Sequence, residues 1–240
     1  MLNFLRKLRR NNMKNSKYLQ YAVGEIILVV IGILIAVGIN NLNEDLKKEK
    51  KRDRYRTNLI DELKADLRNL DQRDSLERIY IESIEDYLNY YVRETFNYDT
   101  LIEKLENRRS TKNYFVSNTL TIDDMLSTGN IDLFDEVVRK TIIDLKTSLE
   151  LNEDYVKKTV DLTIPYEREF RQSIDLVHES FDTREHISVQ GWKRNIDSKQ
   201  YLLLNNMMMN QLGLHNYQIV VHERIRVKAK RLIEKLKQSE

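Results

Sequence analysis

From Ala22 to Ile39 the chain reads AVGEIILVVIGILIAVGI, an apolar run broken by one charge, Glu25. At ~1.5 Å per residue this run is ~27 Å long as a helix, close to the ~30 Å hydrocarbon core of a bilayer, so it predicts a transmembrane helix. Glu25 sits near one end, where burying a charge costs less than the ~3 kcal/mol of the helix centre. Tyr18 and Tyr21 fit the headgroup belt beside it. The pattern then changes. From Asn43 to about Glu94 there is no Pro or Gly, and apolar residues fall at Leu59, Ile60, Leu63, Leu67 and Leu70, then at Leu76, Tyr80, Ile84, Tyr87, Leu88 and Tyr91. Steps of three and four define one helix face; the phase shift after Leu70 rules out a strict heptad.

Thr100 and Glu103 have capping-box spacing and open a short helix predicted to run through Arg108. Residues 110–118 read as irregular. A helix at about 121–128 stops at Gly129-Asn130, residues suited to a left-handed turn. The next helix is predicted from near Asp132 to about Ile164, with Leu133, Val137, Val138, Thr141, Ile142, Leu145, Leu149 and Leu151 on its face. Pro165, the only proline, predicts a kink there or a fresh helix running to about Phe181. Residues 182–197, with Gly191 and the only tryptophan, Trp192, are poorest in helix pattern. A last helix is predicted over about Ser198 to Gln238. The expected fold class is all-α: one N-terminal transmembrane helix, then an elongated antiparallel bundle of long helices. The divisions are a basic tail over 1–21, the membrane helix over 22–39 and a helical domain over 40–240.

Composition supports helix. Six glycines and one proline in 240 residues are too few for a turn-rich β fold or a glycine-looped nucleotide fold. The absence of cysteine excludes disulfides, thiolate zinc sites and a cysteine nucleophile. Two other readings of 22–39 compete with an anchor. Ala36-Val37-Gly38 has cleavage-like spacing, but the apolar run exceeds the 7–15 residues usual in a signal peptide. A buried core helix lacks an apolar counterpart, since mean hydropathy is −0.58 with the run included.

Six Lys and Arg precede the run and seven follow within 47–56, so the positive-inside count shows no bias. Lys17 lies nearer the run than Lys47 does, and Glu44 and Asp45 dilute the second cluster. The expectation is therefore a cytoplasmic N-terminus with residues 40–240 outside. Gly24, Gly32 and Ala36 share one helix row, bordered by Glu25, and form a candidate transmembrane packing face for self-association. Of the 40 basic and 38 acidic residues, six and one lie before residue 40. The domain thus carries 34 against 37, without the basic excess of a nucleic-acid binder.

The stretch Tyr21 to Ala36, with Ile39-Asn40-Asn41-Leu42-Asn43-Glu44 after it, resembles the opening of a family of bacterial single-pass membrane proteins catalogued as a domain of unknown function. Leu42 stands where that family has a tryptophan. Asn118 to Phe134, NTLTIDDMLSTGNIDLF, is similar to the family's turn between helices. The resemblance covers most of the chain. It implies a membrane anchor and a helical outer domain, and it brings no catalytic residues; with the orientation above, the expected location is a bacterial inner membrane with a periplasmic domain.

No motif for catalysis emerges, and the expectation is a non-enzyme with no catalytic, cofactor-binding or metal-ligating residues. His215 and His222 are seven apart, ~10 Å along a helix, too far to share one metal, and read as surface or half-buried side chains, as do His178 and His186. There is no Gly-x-Ser-x-Gly elbow and no phosphate loop. Of Met207-Met208-Met209, at most two can share a face. Trp192 reads as a lid packed on the bundle, with a contact residue for a partner as the alternative. Basic residues over 47–56 and from Arg224 to Lys237 read as solvated faces, with lipid headgroups as an alternative partner. The expected partners are membrane lipid, a second copy through the transmembrane helix and an unidentified protein, with no nucleic acid. The functional reading is a membrane-anchored interaction or scaffold module. The alternative is an extracytoplasmic ligand-sensing bundle that signals through association with a partner.

Overall fold

A computed structural model describes residues 2–109, 114–180 and 186–238, with side chains from Tyr21 onward apart from Ser180. Among these residues there are seven α-helices, one 3-10 turn and no strand. The helices are α1 (Leu2–Tyr91), α2 (Tyr98–Asn107), α3 (Leu120–Ser127), α4 (Glu136–Gln172), α5 (Leu176–Ser180), α6 (Ile187–Lys193) and α7 (Lys199–Gln238). The chain divides into two compact units, Met1–Arg54 and Tyr55–Glu240, and α1 contributes to both. In the first unit every residue from Tyr21 to Lys50 is exposed.

The second unit is a bundle of four legs. Leg one is α1 from Tyr55. Leg two returns along it: Lys104 meets Asp86 at 2.6 Å, the Arg109 amide donates to Ser83 Oγ at 2.9 Å, and the Asn118 amide donates to Asp66 Oδ1 at 3.0 Å. Leg three is α4. Leg four, α7, runs antiparallel to it, since Gln218 Nε2 donates to Asn152 Oδ1 at 3.0 Å and Lys228 reaches Asp144 at 2.8 Å, while Lys199 pairs with Glu169. It also opposes α1, pairing Asn205 with Tyr87 and Arg226 with Asp74. The topology is up-down-up-down.

Leg two is broken, and polar groups on α1 support the break. Over 114–119 the backbone leaves helix, and the buried Asp66 carboxylate accepts from the Ser117 hydroxyl and the Asn118 amide. Burial pushes the Asp66 carboxyl above its ordinary value, with the Ser117 and Asn118 bonds opposing. Thr119 makes no side-chain cap for α3; Glu62 of α1 takes the free Thr121 amide at 3.2 Å and the Thr121 hydroxyl at 2.7 Å. Tyr55 donates to Asp124 Oδ2 at 2.6 Å.

Several local expectations shift. The start of α2 is capped by Asn97, whose side chain accepts from the Asp99 and Thr100 amides, so the helix begins before the Thr100–Glu103 box. Gly129 does take the left-handed conformation, φ 71°, leading into a 3-10 turn over Asn130–Leu133. Asp135, rather than Asp132, then caps α4. Helix α4 continues through Pro165 to Gln172. The donor lost there costs ~3 kcal/mol in an isolated helix, but α4 packs on α7 on both sides of it, at Asn152 and Glu169. The fresh helix after the proline reduces to α5; Phe181 lies outside the described residues. The weakly patterned connector holds α6, capped by His186.

Two apolar clusters fill the bundle. One joins Tyr55, Leu59, Leu63 and Leu70 of α1 with Ile122, Met125, Val138, Ile142, Leu145, Ile225, Leu232 and Leu236. The other joins Ile84 and Tyr87 with Leu101, Leu105, Trp192, Tyr201, Leu204, Met207 and Met208. Met209 points outward, so two of the three consecutive methionines share the buried face.

Candidate functional site

The four residues of the candidate transmembrane face, Gly24, Glu25, Gly32 and Ala36, lie on α1 in the first unit and are all exposed. A methyl group added at Gly24 or Gly32 would meet nothing within 4 Å. Close backbone approach is therefore sterically open along this row.

Between the two apolar clusters lies a polar layer. His215 and His222 of α7 are both fully buried, which corrects the expectation of surface or half-buried histidines. Each faces a separate carboxylate on α1: His215 Nδ1 bonds Glu77 Oε2, and His222 Nδ1 meets Asp74 Oδ1 at 2.6 Å. The Gln218 amide donates to Asn152, so its carbonyl accepts from His222 Nε2 at 3.1 Å. His222 thus bridges the Asp74 carboxylate of α1 and the Gln218 amide of its own helix. Arg226 binds the other Asp74 oxygen at 2.7 Å, reaches Asp71 at 3.2 Å and pairs with Glu223. Tyr80 packs on His215 and Phe115 lies edge-on to His222. Histidines seven residues apart sit on one face of α7, and α1 offers Asp74 and Glu77 opposite; that pairing across helices left no mark in the local sequence.

The second feature is a pocket of about 410 Å³ at the end of the bundle that carries α2, within the 300–1,000 Å³ typical of small-molecule sites. It is lined by Leu105, Glu106, Arg108, Phe170, Glu179, Trp192, Lys193 and Leu204. Trp192 is 7% exposed and packs edge-on against Phe170 and Tyr201, as a lid residue should. Lys193 is 2% exposed and lies between two carboxylates, Glu106 at 3.1 Å and Glu179 at 3.2 Å. Its carbonyl is held by the Tyr201 hydroxyl at 2.7 Å.

Three polar groups at this pocket are unsatisfied. The Trp192 indole N–H and Glu179 Oε2 are buried without a hydrogen-bond partner among the described residues. Arg108 is half-buried and forms no hydrogen bond or ion pair with any described residue. Burial pushes its pKa down; the fields of Tyr87 and Glu179 oppose that shift. Buried polar atoms are normally paired, so an unpaired donor and acceptor beside a cavity ask for a guest or for water. The sequence pointed to Trp192 alone among these residues. The others come from five different helical segments and converge only through the fold.

The sequence model of DUF6090, a family of unknown function, matches residues 25–131, just under half of the chain. The match takes in the apolar run from Glu25, the first leg of the bundle and most of the second, ending at Ile131 within the turn motif. It does not extend over most of the chain, as the sequence resemblance suggested. No curated protein and no solved structure matches the chain.

Proposed function

We propose that this is a non-enzymatic, single-pass protein of a bacterial inner membrane, anchored by residues 22–39, with a cytoplasmic N-terminus and a periplasmic helical domain that works as an interaction or scaffold module. One observation carries the reading. Twelve large apolar side chains from Val23 to Ile39 are between 47% and 74% exposed. Leaving them in water forgoes on the order of 10–20 kcal/mol of burial, which lipid would supply. Self-association through Gly24, Glu25, Gly32 and Ala36 is the proposed route to oligomers, and a protein partner is the alternative; nucleic acid is not proposed.

The lack of cysteine makes the test clean. A single cysteine at exposed Lys157 (Lys157→Cys) should react with a membrane-impermeant maleimide once the outer envelope is permeabilised. Reaction only after the inner membrane is broken would reverse the orientation, and release of the protein by alkaline carbonate would remove the anchor. Oxidative dimers of Ala36→Cys but not Leu34→Cys would support the packing face; equal dimers from both would refute it.

A second reading has its own observation. The pocket with unsatisfied Trp192, Glu179 and Arg108 favours a ligand-sensing domain, with a bound small molecule altering how the bundle associates with its partner.

A further inference from the structure

We infer that the α2-end pocket binds a small zwitterion bearing a carboxylate, an adjacent ammonium and an apolar side chain: a free α-amino acid. This rests on the ligand-sensing reading and gives it a chemistry.

The lining determines the class. Arg108 offers a planar fork of donors with no partner among the described residues, the group best suited to a carboxylate. The unpaired Trp192 N–H adds a neutral donor, which also suits an anionic oxygen. Glu179 Oε2 is a buried acceptor without a donor, and an ammonium would supply one. Arg108 and Glu179 line the same pocket, so one ligand carrying both opposite charges can meet them together. In an α-amino acid those charges are separated by one carbon. Lys193 is already spent on Glu106 and Glu179, which leaves Arg108 to balance the incoming anion. Leu105, Leu204, Phe170 and the Trp192 ring supply an apolar wall for a side chain. A simple inorganic anion would leave Glu179 unsatisfied, and a simple amine would leave Arg108 unsatisfied.

Trp192 is the only tryptophan of the chain, so its emission reports directly on the pocket. The full-length protein in detergent is titrated with L-leucine, L-phenylalanine, 4-methylpentanoate (leucine without its amine), isopentylamine (leucine without its carboxylate) and inorganic phosphate. Fluorescence and thermal unfolding are followed together. The expected result is a saturable Trp192 response to at least one amino acid, with a Tm rise on the order of 5 °C at a hundredfold excess over Kd. Either truncated analogue should bind at least tenfold more weakly. Arg108→Gln should abolish the response, and Arg108→Lys, which keeps the charge but not the fork, should weaken it. Glu179→Gln should narrow the gap between leucine and 4-methylpentanoate. Equal binding of leucine and 4-methylpentanoate, or binding of phosphate alone, would overturn the zwitterion and leave a ligand pocket. No response to any of these probes from protein with wild-type circular dichroism would overturn both the zwitterion and the ligand-sensing reading.

Discussion

Replacing Asp74 by alanine should be among the costliest single changes in the bundle, and its cost should fall sharply when His222 is replaced too. Asp74 accepts from His222 at 2.6 Å and from Arg226 at 2.7 Å. Arg226 keeps Asp71 and Glu223, so it loses only part of its pairing. His222 is fully buried and keeps only Gln218. Removing one member of a buried hydrogen-bonded pair costs ~1–3 kcal/mol, towards the upper end where a charged group such as Arg226 also loses a partner. The Asp74 side chain is 18% exposed, which lets some water reach the gap and holds the cost to ~3 kcal/mol. His222→Phe keeps the ring volume beside Phe115 but leaves Asp74 with Arg226 alone, at ~2 kcal/mol. In the double variant neither buried partner is left facing an empty place. The total should stay near ~3 kcal/mol, giving a coupling of about 2 kcal/mol. Denaturant unfolding of the full chain in detergent, followed by far-ultraviolet circular dichroism, measures all four corners of the cycle. A coupling under ~0.5 kcal/mol would refute the idea that the two side chains support each other in the layer.

Other outcomes follow from single sites. Asp66 has a carboxyl whose pKa is raised by burial, so the folded chain holds its proton to higher pH than the unfolded chain, whose ordinary value is 3.8. Stability therefore falls as pH rises from about that value through the raised one. Asp66→Asn should flatten this slope, and parallel slopes in the two proteins would discount Asp66 as its source. Gly129→Ala should cost ~1 kcal/mol, from the left-handed backbone alone, because the added methyl meets no atom within 4 Å; a neutral result in thermal unfolding would contradict that backbone conformation. Asn97→Ala should cost ~1 kcal/mol, while Thr100→Ala should cost less, since Asn97 carries the cap of α2; the reverse order would restore the capping box.

Much of the fold could be read from spacing because long amphipathic helices announce themselves locally. The faces at Leu59–Leu70 and Val138–Leu145, and the stop at Gly129, depend on near neighbours in the chain. What escaped the sequence depends on distant ones. Pro165 passes through α4 because packing on α7 outweighs a local penalty. The helix α3 is legible locally, but the support of its start is not: Glu62, fifty-nine positions from Thr121, takes the amide that Thr119 leaves uncapped. His215 and His222 looked like ordinary solvated histidines because their carboxylates lie on α1, 138 and 148 positions away. The pocket was invisible for the same reason: Arg108, Glu179 and Trp192 share no periodic pattern, and α5 and α6 are too short to show one.

The polar layer should also divide the bundle dynamically. Seventeen buried residues make up the cluster on the Tyr55 side of the layer and nine the cluster on the pocket side, among the described residues. Apolar packing does not run unbroken between them, so the two ends should unfold as separate cooperative units, with the smaller opening more often. Amide hydrogens around Leu204 and Met208 would then exchange faster than those around Ile225 and Leu232. A guest of the proposed kind would then enter through opening of the pocket end alone, with the Tyr55 end still shut. A guest that holds the pocket end closed would slow exchange there and leave the other end unchanged.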